Sequence, residues 1–159
     1  LSIASAGTTS ADLTNLGLSP SLATPAALLI VGDGDLSYSL ALRRCARLPA
    51  AARLCCTTLD TADQLLARYP DTAEPNAAEL RRCGDEVLPG VDGTDLRSML
   101  PDGAARLFRR VVWLFPHLCG KSKIHKHREL LRGFFASAAP RLARQRSVDV
   151  ELVGLLKNA

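Results

Sequence analysis

The residues able to do chemistry follow successive apolar runs. The first group is Gly32, Asp33, Gly34 and Ser37, directly after the apolar run Ala26–Val31 and at the start of an apolar helical pattern from Leu36. A helix N-terminus offers free N–H groups and the positive end of a dipole. Gly32 and Gly34 let a ligand approach the backbone closely. The arrangement suits a nucleotide or nucleotide-like cofactor at the carboxyl end of the first strand of an open α/β sheet. It equally serves an ordinary strand-to-helix turn. Asp60 follows the next apolar run, Arg53–Thr58. Many nucleotide-binding α/β folds hold a ribose hydroxyl there. Capping a helix at Thr61 is its competing role. Asp92 stands in Gly90-Val91-Asp92-Gly93-Thr94, after a third short run.

Phe115-Pro116-His117 follows a fourth apolar run, and a basic stretch comes next. That stretch carries Lys121, Lys123, Lys126 and Arg128, with His125 and His127. It fits contact with nucleic-acid phosphates, or a solvated loop and helix start. No metal site is expected, because His125 and His127 lack a third ligand at suitable spacing.

Strands are expected at Ala27–Val31, Arg53–Thr58, Glu86–Leu88, Arg110–Leu114 or Phe115, and Val148–Leu156. Helices are expected at Leu36–Arg47, capped by Ser37 or Asp35, then at Thr61–Arg68, Glu74–Arg82 and His127–Ala139. Leu130, Leu131, Phe134 and Phe135 should share the buried face of the last helix. Residues 96–108 read as a polar connection with a turn at Pro101-Asp102-Gly103. Strands alternate with helices, so a parallel sheet covered on both faces follows. Residues 1–25, rich in Ser, Thr, Ala and Gly, read as a flexible arm, and 26–159 as one α/β domain.

Hydrophobic residues make up 47% and charged residues 23%, a globular balance. Aromatic residues are only 4%, so Leu, Val and Ala must build most of the core. A net charge of +4 permits a nucleic-acid partner without requiring one. The cysteines, Cys45, Cys55, Cys56, Cys83 and Cys119, are odd in number and form no C-x-x-C. They point to a reducing compartment rather than zinc or disulfides. No apolar stretch approaches the ~20 residues of a membrane span.

Five segments recur together in a known family: Leu29–Ala41, Thr58-Leu59-Asp60, Gly90–Thr94, Phe115-Pro116-His117 and Glu129–Phe135. On these the chain resembles the Rossmann-like domain of the eukaryotic 25S rRNA (uridine-N3) methyltransferases, a domain also found joined to ferredoxin-fold anticodon-binding domains. The resemblance implies a class I methyltransferase fold that binds S-adenosylmethionine and acts on ribosomal RNA. It assigns Gly32, Asp33, Gly34 and Ser37 to the methionine part of the cofactor. Asp60 would hold the ribose, and Asp92 would lie near the adenine amino group. Phe115, Pro116 and His117 would lie beside the methyl group and the target base. Uridine N3 is protonated at neutral pH, so a base is needed, and His117 is the nearby candidate; Pro116 would shape the corner. Lys121, Lys123, Lys126 and Arg128 would contact RNA.

The sequence departs from the family in two respects. Family members usually carry Asn before Phe-Pro-His, whereas this chain has Leu114. The final β-hairpin of class I methyltransferases is also absent after the fifth expected strand, so either the chain is part of a longer protein or the domain is reduced. Both favour the alternative of a catalytically inactive, methyltransferase-like component of a ribosomal particle, with ribosomal or assembly-factor partners. A small-molecule methyltransferase is a third reading. The resemblance places the protein in the nucleolus or nucleus, with the mitochondrion as the alternative.

Overall fold

The computed structural model describes residues 27–45, 48, 52–101, 107–114, 116, 124–143 and 150–153. The expected arm, residues 1–25, lies outside them. The elements run in chain order as β1 (Ala27–Val31), α1 (Ser37–Cys45), β2 (Arg53–Thr57), α2 (Ala62–Arg68) and α3 (Ala73–Arg82). There follow β3 (Glu86–Leu88), a 3-10 turn (Gly93–Asp95), α4 (Leu96–Met99), β4 (Arg110–Leu114), α5 (Ile124–Ala138) and β5 (Val150–Val153). The strands form one sheet in the order β3-β2-β1-β4-β5. Every neighbouring pair is parallel. The order reverses at β1 and β4, the switch point at which open α/β sheets bind ligands.

Side chains alternate between the two faces of a strand, and here both faces are apolar. Leu28, Ile30, Leu54, Cys56, Val112 and Leu114 pack beneath α1 and α3, against Leu40, Leu42, Ala77 and Leu80. Leu29, Val31, Cys55, Val111 and Trp113 face the other way, against Leu96, Leu100, Phe134 and Ala138. Adjacent cysteines therefore serve opposite cores. Burial pushes the Cys56 thiol well up, so it stays protonated as a small apolar group.

Several expected boundaries move. The connection expected over residues 96–108 opens with helical structure, and Leu96 and Leu100 are buried. Asp92 and Asp95 cap the successive turns through the N–H groups of Thr94 and Ser98. The remainder of the expected turn, Asp102-Gly103, lies outside the described residues. Helix α5 begins at Ile124, a turn before the expected start, because its polar first turn has no apolar periodicity to announce it. Phe134 takes the buried position on α5, which turns its neighbour Phe135 toward solvent, 41% exposed. Thr61, not Asp60, caps α2, in a capping box with Gln64.

At the amino edge of the sheet a buried carboxylate joins three elements. Asp85 accepts from Nε of Arg43 at 2.7 Å, from Nη2 of the same guanidinium, and from the Leu54 N–H at 2.9 Å. Arg43 Nη2 also donates to the Ala52 carbonyl at 3.1 Å. The Asp85 side chain is fully buried, so removing it strands a buried guanidinium. Asp85→Ala is expected to lose about 3–5 kcal/mol of stability. Urea unfolding monitored by circular dichroism checks this, and a loss under about 1 kcal/mol would contradict it.

Candidate functional site

The carboxyl ends of the parallel strands bring the loops after β1, β2 and β3 and the end of β4 to one edge. Gly32 leaves β1 with φ +76°, a left-handed conformation that glycine adopts without cost. A Cβ there would stand 3.1 Å from the Leu114 carbonyl oxygen and 3.5 Å from the Trp113 indole nitrogen. The chain then closes a tight loop in which Gly34 N–H donates to the Gly32 carbonyl and Leu36 N–H to the Asp33 carbonyl. Leu36 itself is left-handed, at φ +67°, with its side chain buried. Such a conformation costs roughly 1–3 kcal/mol and persists only where its surroundings fix it.

The surroundings are carboxylates and α3. Asp33, buried, accepts from the Ser39 N–H at 2.7 Å and the Tyr38 N–H at 3.3 Å. Asp35 accepts from the Ser37 N–H at 3.1 Å. The Gly32 and Asp33 N–H groups both donate to the Thr57 carbonyl. The first N–H groups of α1, expected to be free for a ligand, are thus taken by the chain's own oxygens. On the far side, Asn76 of α3 donates to the Asp35 carbonyl at 2.9 Å. The Tyr69 hydroxyl lies 3.2 Å from where a Gly34 Cβ would stand.

Burial raises the Asp33 pKa above the ordinary carboxyl value, and the Ser39 and Tyr38 N–H groups offset this only in part. Partial burial also pushes Asp35 upward. There the Ser37 hydroxyl and N–H and the Thr72 hydroxyl outweigh it, and the carboxyl lies below its ordinary value.

The loops after β2 and β3 are zipped together. Gly90 N–H donates to the Asp60 carbonyl and Val91 N–H to the Thr58 carbonyl, each at 2.8 Å. Asp60 Oδ2 pairs with Arg68 at 2.6 Å; among the described residues its Oδ1 receives no hydrogen bond. Asp92 Oδ1 accepts from both the N–H and the hydroxyl of Thr94, at 2.8 Å each. Gly93 lies tightly between β1 and α5: a Cβ there would stand 2.8 Å from Val31 and 3.4 Å from Phe134. Gly133 of α5 rests on Thr94 in the same way, at 3.2 Å.

At the end of β4, Trp113 stacks on Phe134 with ring centroids 4.0 Å apart. Leu114 is buried in the opposite core. Pro116 is half-buried at this edge. Phe115, His117, Lys121 and Lys123 lie outside the described residues. Lys126 and Arg128 are exposed on α5, but residues two apart on a helix face different ways. The structure therefore gathers Gly32, Asp33, Gly34, Ser37, Asp60, Asp92 and Pro116 at one edge, and separates Lys126 from Arg128. Sequence reasoning missed the Tyr69, Thr72 and Asn76 clamp. A polar Asn76 among the apolar positions of α3 is its one visible trace.

Two outcomes follow. Gly93→Ala should destabilise the fold by about 1–3 kcal/mol through overpacking against the stiff Val31 side chain; an unchanged melting temperature would contradict the packing. Asp33, with its raised pKa, contributes stability that is fully present below the ordinary carboxyl value and is lost as pH rises through the raised one. Asp33→Asn lacks this dependence. Between about pH 4 and pH 7 the stability gap should shift in favour of the Asn variant. Parallel pH profiles of wild type and variant would refute the shift.

Comparison with known proteins accords with this architecture. The glycopeptide N-methyltransferase MtfA, crystallised with (S)-adenosyl-L-methionine, superposes with a TM-score of 0.52 at 14% identity, over 86% of this chain and 50% of that one. That likeness is one of fold. Heavy metal-associated isoprenylated plant protein 41 of Arabidopsis thaliana is 37% identical over 129 residues, 77% of this chain and 24% of its own length. Ferredoxin-fold anticodon-binding domain-containing protein 1 of Homo sapiens is 38% identical over 128 residues, 80% of this chain and 20% of its own. The chain thus spans about a quarter or less of these two relatives. The family model described as rRNA (uridine-N3-)-methyltransferase BTM5-like matches residues 29–155. On that match, the chain belongs to the BMT5-like family and is an RNA methyltransferase-like protein.

Proposed function

We propose that the protein is an S-adenosylmethionine-dependent methyltransferase acting on N3 of a uridine in ribosomal RNA. The observation that carries the cofactor reading is the occupancy of the glycine loop. Its N–H donors are bonded to Thr57, Asp33 and Asp35, which leaves little to hold a phosphate. What the edge offers is acceptors: the carboxylates of Asp35, Asp60 and Asp92. S-adenosylmethionine has no phosphate, and it carries an ammonium, a sulfonium and ribose hydroxyls. The residues present fit that group.

Gly32, Asp33, Gly34 and Ser37 form the floor for the methionine part, with Asp33 shaping the loop from within. Asp60, through Oδ1, suits a ribose hydroxyl, and Asp92 suits the adenine amino group. When bound, the cofactor supplies an electrophilic methyl group. Phe115 and Pro116 orient the uracil ring beside it, and positioning of this kind accounts for much of the rate. His117 accepts the N3 proton, so that the nitrogen lone pair is free to react. Lys121, Lys123, Lys126 and Arg128 bind RNA phosphates. On this reading the protein works in the nucleolus or nucleus, with the mitochondrion as the alternative.

A second reading, a non-catalytic component of a ribosomal particle, is favoured by one observation. Leu114 stands where family members usually carry Asn, and its buried side chain can hydrogen-bond neither base nor cofactor. Calorimetry and methyl transfer separate the readings. The wild-type chain should bind S-adenosylmethionine, and Gly34→Trp, which drives a ring into Tyr69, should not. Labelled methyl should pass to ribosomal RNA and fall about 10²- to 10⁴-fold in His117→Ala. No binding, or binding without transfer, would overturn the enzyme reading and select the second.

A further inference from the structure

We infer that the outer face of α5 is a docking strip for unpaired, single-stranded RNA, with Arg128 and Arg132 on its phosphates and Phe135 stacked on a base. The inference rests on the RNA reading above and specifies a surface and RNA form for it. Arg128, Arg132 and Phe135 are spaced i, i+4, i+7 and lie along one stripe of the helix. All three are exposed, as is Ile124 at the head of the stripe. From Ile124 to Phe135 the stripe runs roughly 16 Å.

The arginines here differ from those on α1, α2 and α3. Every arginine on α1, α2 and α3 pairs with a carboxylate: Arg43 with Asp85, Arg44 and Arg82 with Glu79, Arg68 with Asp60, Arg81 with Glu74. Among the described residues, Arg128 and Arg132 pair with none, although Glu129 lies one turn from Arg132. Unpaired cations along one helix face are the footprint of a polyanion. Phe135 adds the second element. Its ring is held edge-on by Phe134, at 5.7 Å and 64°, and Phe134 is stacked on Trp113. The exposed ring is therefore pre-set by the core, which lowers the ordering cost of stacking. Stacking on an exposed aromatic needs a base freed from its pair. Uridine N3 lies on the pairing edge, so the target must be unpaired as well.

The placement connects this strip to the site. Gly133 of α5 rests on Thr94, whose hydroxyl holds Asp92, so the helix that carries the strip packs against the carboxylate edge.

The test uses the whole chain and a fluorescent oligouridine, with a duplex RNA of equal length as comparison and S-adenosylmethionine calorimetry alongside. Wild type should bind the single strand more tightly than the duplex. Arg128→Gln/Arg132→Gln should weaken single-strand binding about tenfold and lower the salt slope by about 0.7 for each phosphate no longer neutralised. Phe135→Ala should weaken it roughly five- to hundredfold, and Phe135→Trp should restore it. Cofactor binding and melting temperature should be unchanged in all three. Wild-type binding that the variants leave intact would overturn the strip while sparing the RNA reading. No RNA binding by wild type would overturn both. Loss of self-association in the variants, with RNA binding kept, would assign the face to a second copy and overturn the proposal.

Discussion

A buried carboxylate fixes the geometry on which the site depends. Asp33 sits at the end of the central strand β1 and turns inward, where it takes the N–H groups of Tyr38 and Ser39. That cap sets where α1 begins and holds Leu36 in its left-handed conformation. It also removes the donors that would otherwise make the helix start a phosphate site. One interaction thus shapes the loop and gives the edge its acceptor character. The Asn76 side chain, donating to the Asp35 carbonyl, then ties this loop to α3, so its shape is determined from two sides.

The molecule separates its charges. Carboxylates from the loops after β1, β2 and β3 gather at the carboxyl edge of the sheet, while arginines without a carboxylate partner among the described residues lie along α5. Two glycines make this proximity possible: Gly93 leaves room for Phe134 of α5 and Gly133 leaves room for the Thr94 side chain of the 3-10 turn. An acidic edge suits a cationic cofactor, and a basic helix beside it suits an anionic polymer. A single parallel sheet therefore carries an acidic edge and a basic helix side by side.

Much of this is legible in the residues. The apolar runs mark β1 to β4 within a residue or so, and the alternation of βα units implies the parallel sheet. Gly32, Gly34, Asp60 and Asp92 stand out because each follows a strand. What is not legible depends on direction. The sequence places Asp33 beside two glycines but does not say that its carboxylate turns inward. Lys126 and Arg128 read as one patch until the helix reaches back to Ile124 and splits them. Phe134 and Phe135 are alike in a sequence, yet one is core and the other faces solvent. Leu96 looks like part of a polar connection because the caps that fold it, Asp92 and Asp95, act only through side chains.

The central claim is that the loop around Asp33 selects a cationic, phosphate-free cofactor. The most direct measurement is calorimetric titration of the same chain with S-adenosylmethionine and, separately, with ATP and NAD. Saturable one-to-one binding of S-adenosylmethionine is expected, with no heat of binding from either phosphate-bearing nucleotide. Tight binding of ATP or NAD, with none of S-adenosylmethionine, would contradict it.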